Sequence, residues 1–131
     1  MKLRLILAQL TCCSFLWMGS PALAERLTVQ FTPGQLLRVE VANLTGTFIL
    51  VERMQGGEPV DVLPGQMFSF SPAGSSINNI SMLIWDERGS VFELQAIKLT
   101  NNVLRIEVRA GAIAPGDRSV YLRDDGRVII L

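Results

Sequence analysis

The chain has 131 residues, twelve basic and twelve acidic side chains, two cysteines and no histidine. Both cysteines, Cys12 and Cys13, fall in an apolar N-terminal stretch, so from Glu25 onward neither a thiol nor an imidazole is present. That excludes Ser-His-Asp and Cys-His catalysis and the cysteine and histidine ligands on which most transition-metal sites depend.

The N-terminal stretch reads as a bacterial-type secretory signal. Lys2 and Arg4 form a basic start, Leu5 to Met18 an apolar core, Gly19-Ser20-Pro21 a break, and Ala22-Leu23-Ala24 a small-x-small cleavage signal. We expect cleavage after Ala24 and delivery to the periplasm or the cell exterior. The apolar core is short of the roughly 20 residues a membrane anchor needs. Thr11 before Cys12, and Cys12 before Cys13, lack the small residue that precedes a lipid-modified cysteine. Residues 25–131 then form a single domain, large enough to fold without disulfides or metal and expected not to insert in a membrane. Without Lys2 and Arg4, ten basic residues face twelve acidic ones, a net charge of −2. No basic surplus attracts phosphates, so nucleic acid is not an expected partner.

From Leu27 the sequence reads as strand after strand. Leu27, Val29 and Phe31 alternate with polar residues, and Thr32-Pro33-Gly34 turns the chain. Leu37, Val39 and Val41 alternate in the same way. Phe48 to Val51 is apolar throughout, and Gln55-Gly56-Gly57-Glu58 closes a hairpin onto Pro59 to Leu63, where Pro59 marks an edge strand. Leu63-Pro64-Gly65 turns into a strand carrying Phe68 and Phe70. Ile80 to Trp85 follows, with Trp85 expected in the core, and Asp86-Glu87-Arg88-Gly89 is expected to close a hairpin onto Phe92 to Ala96. Thr100-Asn101-Asn102 supplies the next turn, because asparagine tolerates positive φ. Leu104, Ile106 and Val108 alternate with Arg105, Glu107 and Arg109. Val120 to Arg123 pairs with Arg127 to Leu131 across Asp124-Asp125-Gly126.

About ten short strands at this spacing predict an all-β fold, a small antiparallel β-sandwich, with a small β-barrel as the alternative. The strand rhythm loosely resembles immunoglobulin-like or cupredoxin-like sandwiches. The copper site of cupredoxins, one cysteine and two histidines, has no counterpart here. Pro33-Gly34-Gln35-Leu36 is echoed by Pro64-Gly65-Gln66-Met67, which type II turn chemistry accounts for without a duplication.

Chemistry-bearing groups are sparse. Lys98 with Ser69, Ser71, Ser75 or Ser76 is formally a serine–lysine dyad, but a solvated lysine is the simpler reading. Asp86-Glu87 and Asp124-Asp125, with Asp117, are the acids a carboxylate-dependent hydrolase would use, yet each pair sits where turns select aspartate for local hydrogen bonding. We therefore expect no cofactor and no metal. Two loops stand out as candidate partner contacts, 72–79 through Ser75, Ser76, Ile77 and Asn78, and 110–117 through Ile113 and Asp117. Against that stands the plainer expectation that each isoleucine plugs the space beneath its loop. Asn43-Leu44-Thr45 and Asn79-Ile80-Ser81 match the glycosylation sequon. The function expected is that of a non-enzymatic, exported binding, envelope-associated or assembly module, its partner an unspecified protein or envelope component. The alternative is the carboxylate-dependent hydrolase.

Overall fold

The computed structural model describes residues 26–72 and 79–131. The expected signal segment 1–24 and the contact candidates Ser75, Ser76, Ile77 and Asn78 therefore lie outside the described residues. Ten strands follow one another in the described chain: β1 (Arg26–Gln30), β2 (Arg38–Asn43), β3 (Ile49–Arg53), β4 (Val60–Val62), β5 (Met67–Phe70), β6 (Ile80–Trp85), β7 (Phe92–Leu99), β8 (Val103–Ala110), β9 (Ser119–Leu122) and β10 (Arg127–Ile130).

Alternation along the strands sorts these elements into two sheets packed face to face. One sheet has six strands in the order β1-β10-β9-β6-β3-β4, the other four in the order β5-β2-β8-β7. Every pairing is antiparallel except β2 with β8. The fold is a small β-sandwich and not a closed barrel. Its core is the inward half of each alternating strand. Ile80, Met82 and Ile84 of β6, Val120 and Leu122 of β9, and Val128 and Ile130 of β10 meet Val39 and Val41 of β2 and Leu104, Ile106 and Val108 of β8.

Turn chemistry explains how the strands are joined. Gly34 and Gly65, each after a proline, adopt φ of +82° and +76°, the value that position i+2 of a type II turn requires. Asn101 and Asn102 take φ of 60° and 55° in the β7–β8 turn, as asparagine's tolerance of that region allows.

Two expectations fail here. Asp86 to Gly89 does not close a hairpin, because β6 belongs to the six-stranded sheet and β7 to the four-stranded one. Residues 86–91 cross between the sheets instead. Trp85 is not in the core either. Ile84 takes the inward position, so period two leaves Trp85 half-buried on the outer face.

The outer face of the four-stranded sheet is charged. Glu40, only 3% exposed, accepts hydrogen bonds from Arg38 and, at 2.8 and 3.1 Å, from Arg105. The hydrogen bonds from Arg38, then those from Arg105, hold its carboxyl below the usual glutamate range against the opposing effect of burial. A depressed folded pKa stabilises the fold above the unfolded-state value, and that contribution is lost as pH falls through the folded one. We therefore expect the melting temperature to fall on acidification from pH 5 downward. The Glu40→Gln variant should be less stable than the parent at pH 7, with the difference narrowing toward pH 3. A constant difference across pH 3–7 would contradict this.

Candidate contact surface

The strand directions place the connections at two ends of the sandwich. Residues 44–48, 63–66, 86–91 and 111–118 lie at one end, and residues 31–37, 54–59, 71–72, 79, 100–102 and 123–126 at the other. Pro72 and Asn79, the described ends of the other candidate loop, thus lie at the end opposite Ile113 and Asp117.

The first end is organised by Asn43, a fully buried polar side chain. Its Nδ2 donates to the carbonyls of Thr47 at 2.7 Å and Val62 at 2.8 Å. Its Oδ1 accepts from the Thr45 backbone at 2.9 Å and the Thr45 hydroxyl at 2.7 Å. The backbone of Asn43 closes the set, donating to Gln66 O at 3.0 Å and accepting from Gly65 N at 2.8 Å. One side chain uses its whole hydrogen-bonding capacity to bind the ends of β2 and β4 and the loop into β3. With both amide hydrogens committed inside the fold, Asn43 is no glycan acceptor in this structure, whatever its sequon.

What Asn43 holds in place is apolar. Leu44, Phe48, Leu63 and Met67 are each next to a residue it bonds or to its own backbone partners, and all four are exposed. Phe48 and Leu63 line an open cleft of about 380 Å³, with Gly46, Thr47 and Pro64 beside them and Asp86, Glu87 and Arg88 on the far lip. Asp86 is itself buried. Burial raises its pKa, but the Ser90 hydroxyl and the backbone N–H groups of Ser90, Arg88 and Gly89 more than offset this, so the carboxyl sits below the usual aspartate range. It is an ionised anchor of the crossing turn, and that is the opposite shift from one that would make it a general acid.

Loop 111–118 occupies the other side of the same end. Gly111 N donates to Val91 O at 2.8 Å, Asp117 N donates to Phe92 O at 2.8 Å, and Asp117 Oδ2 accepts from Leu94 N at 2.9 Å. Asp117 thereby lies along the free edge of β7 like a single added strand residue. Gly111 and Gly116 fit so closely against Val91 and Phe92 that a Cβ on either would fall within 3.0 Å of them. Pinned at both ends, the loop does not tuck its isoleucine beneath it. Ile113 is 83% exposed, which overturns the expectation of a plug. The segment is anchored through backbone and Asp117, and a cleft of about 250 Å³ beside it, lined by Phe92, Gly111 and Gly116, is left open rather than filled by Ile113.

The remaining candidates stand apart. Asp124 and Asp125 belong to the opposite end from Asp117, and Asp125 is held by Arg127 through bonds of 3.0 and 2.7 Å. The backbone N–H of Arg127, ahead of its side chain, lowers the Asp125 pKa. Asp117 therefore does not share a cleft with Asp124 and Asp125. Lys98 donates to Gln30 O at 3.0 Å and sits 5.0 Å from the centre of the Phe31 ring. Its strand and the Ser69 strand are opposite edges of the four-stranded sheet, so these two make no dyad.

Among the described residues, five of the nine exposed large apolar side chains, Leu44, Phe48, Leu63, Met67 and Ile113, lie at the Asn43 end. Leu36 and Met54 lie at the other end, and Tyr121 and Leu131 on a sheet face. Sequence reading picked out Ile113 but missed the four residues around Asn43. The available signal was an asparagine closing an apolar strand, followed by leucine and phenylalanine on the rims of turns. Comparison with protein-family models, curated proteins and solved structures finds no match to this chain.

Removing the hub should be costly. Asn43→Ala removes the side-chain partner of the Val62 carbonyl and of the Thr45 N–H, while the Thr45 hydroxyl and the Thr47 carbonyl keep each other at 2.9 Å; each loss is worth about 1–3 kcal/mol. We expect a total of roughly 3–4 kcal/mol and a melting temperature lower by more than 10 °C. Urea unfolding with an unchanged midpoint would show that these bonds are replaceable by water.

Proposed function

We propose that this protein is an exported, non-enzymatic β-sandwich that serves as a binding or assembly module of the bacterial envelope. The surface it uses is the end organised by Asn43 and the pinned 111–118 loop. The observation that carries this reading is the gathering of exposed leucine, phenylalanine, methionine and isoleucine side chains on loops that are themselves fixed. Apolar side chains held out on rigid supports lose little entropy when a partner covers them. The tripartite N-terminal pattern supports export. The separation of Asp117 from Asp124 and Asp125 weighs against the hydrolase.

Site-directed photo-crosslinking in a bacterial host tests the proposal. A crosslinker at Phe48, Leu63 or Ile113 should give discrete adducts in the envelope fraction, whereas the same probe at Leu36 should not. Intact mass of the exported species should begin at Glu25. Equal labelling from both ends, or a mass that retains Met1 to Ala24, would overturn the contact surface and the export step respectively.

A further inference from the structure

The two outer faces of the sandwich differ in kind. That of the four-stranded sheet carries Arg38, Glu40, Arg105, Glu107 and Arg109, whereas that of the six-stranded sheet carries apolar side chains and serines across its middle. Because Met82, Ile84, Val120 and Leu122 point into the core, their neighbours Ser81, Leu83, Trp85, Ser119 and Tyr121 point outward. Leu50, opposite Trp85 on β3, extends the apolar surface.

Register gives this face a specific relief. β6 and β9 are the two central strands, and Ser81 lies opposite Tyr121 while Leu83 lies opposite Ser119. The four residues form a rectangle with the large side chains on one diagonal and the small ones on the other. A second copy laid face to face about a twofold axis in the plane of contact, whether along the strands or across them, sets each large side chain over a serine. Tyr121 of one copy then meets a serine of the other, and Leu83 does the same. The hollow beside Ser81 is real: a groove of about 290 Å³ is lined there by Ser81, Tyr121, Arg123, Ile129 and Leu131.

We propose that the outer face of the six-stranded sheet is a homodimer interface, closed by interdigitation of Tyr121 and Leu83 with Ser81 and Ser119 of a second copy. A twofold interface must be self-complementary, and the diagonal placement of bulk supplies that. No like charge is opposed across the central rectangle, which holds no ionised group. Six strands at about 4.8 Å, with three to six residues each at about 3.3 Å, give a face of roughly 30 by 15 Å, so two copies bury about 900 Å². That is the size of a transient contact rather than a permanent one.

Sedimentation velocity on the purified protein as the cell delivers it, from about 1 to about 500 µM, should show monomer giving way to dimer. Leu83→Ala should shift the transition at least tenfold upward. Ser119→Leu is the decisive variant, because it makes the face more apolar yet puts bulk at a position where the register needs a small residue to face a large one of the partner. Interdigitation requires that it too lose the dimer, with its thermal unfolding showing that the fold is intact. Should Ser119→Leu associate as well as the parent or better, the interface is undirected stickiness and the proposal is overturned. It is equally overturned by a parent that remains monomeric throughout. In that case flotation with phosphatidylcholine vesicles would reassign the face to lipid, and no flotation would reassign it to a different protein. Association lost through Ile113→Asp but kept in Leu83→Ala would place self-contact at the loop end and overturn the proposal as well.

Discussion

Deleting Val128–Leu131 should leave a chain that does not fold. β10 is an interior strand, hydrogen-bonded to β1 on one side and β9 on the other. Val128 and Ile130 are fully buried in the core, and Ile129, which faces outward, is buried as well. The Leu131 carbonyl accepts from both Arg118 N and Ser119 N at 2.8 Å, so the last residue also closes the entry into β9. Losing each large buried aliphatic side chain costs about 2–5 kcal/mol. Three such losses match or exceed the 5–15 kcal/mol total stability usual for a domain. Stripping β10 also exposes the edges of β1 and β9 together. Far-ultraviolet circular dichroism and limited proteolysis are the measurements. A truncated chain that still unfolds cooperatively at the parent temperature would show that β10 is dispensable.

An apolar run such as Val128 to Leu131 would be either a core strand or a surface through which the domain assembles; the second does not fit Val128 and Ile130, whose side chains are already inside their own domain. Both roles were open in the sequence because Val128-Ile129-Ile130-Leu131 is apolar at every position. Such a run has no polar face to say which side is inward, and only its insertion between β1 and β9 decides it.

The same physics separates what was legible elsewhere. Local signals carried far: alternation placed the strands, Pro-Gly placed turns with positive φ at Gly34 and Gly65, and Asn101-Asn102 turned as asparagine should. The hairpin β9–β10 closed across Asp124-Asp125-Gly126 for the same reason. Sheet membership was not local. Residues 86–91 have the composition of a hairpin loop, and what sends β7 to the other sheet is its long pairing with β8. Trp85 was misplaced because a tryptophan's size suggests the core while its phase relative to Ile84 sets its side. In the contact surface, Ile113 could be named but its exposure could not. That depends on Gly111, Gly116 and Asp117 meeting Val91, Phe92 and Leu94, which are some twenty residues away in the chain. Asn43 was invisible for a like reason, since a buried asparagine is recognised by its partners, here Thr45 and Thr47 in the loop that follows it and Val62 at the end of β4.

Gly126→Ala should be among the most damaging single-methyl additions this fold admits. Gly126 turns the β9–β10 hairpin at φ +85°, donating to Arg123 O at 2.9 Å. Its carbonyl accepts from Phe31 N at 2.8 Å, so the hairpin tip is bonded backbone to backbone with the segment that follows β1. A Cβ at this position would lie 1.9 Å from Phe31 O and 2.8 Å from its carbonyl carbon. Neither atom can swing aside as a side chain would. Phe31 is buried in the core, so relief requires moving a core residue together with the hairpin. Gly34→Ala is the matched control, since Gly34 has nearly the same φ, +82°, and open space where its Cβ would stand. The control should lose only the cost of the left-handed backbone, about 1–2 kcal/mol. Gly126→Ala adds the contact with Phe31 and the hydrogen bond it breaks, and should lose about 4 kcal/mol or more. At roughly 4–8 °C per kcal/mol for a domain near this size, the two melting temperatures should differ by more than 10 °C. Equal shifts for the two variants would mean that the β9–β10 tip does not dock against Phe31, and that the glycine is required there for its φ alone.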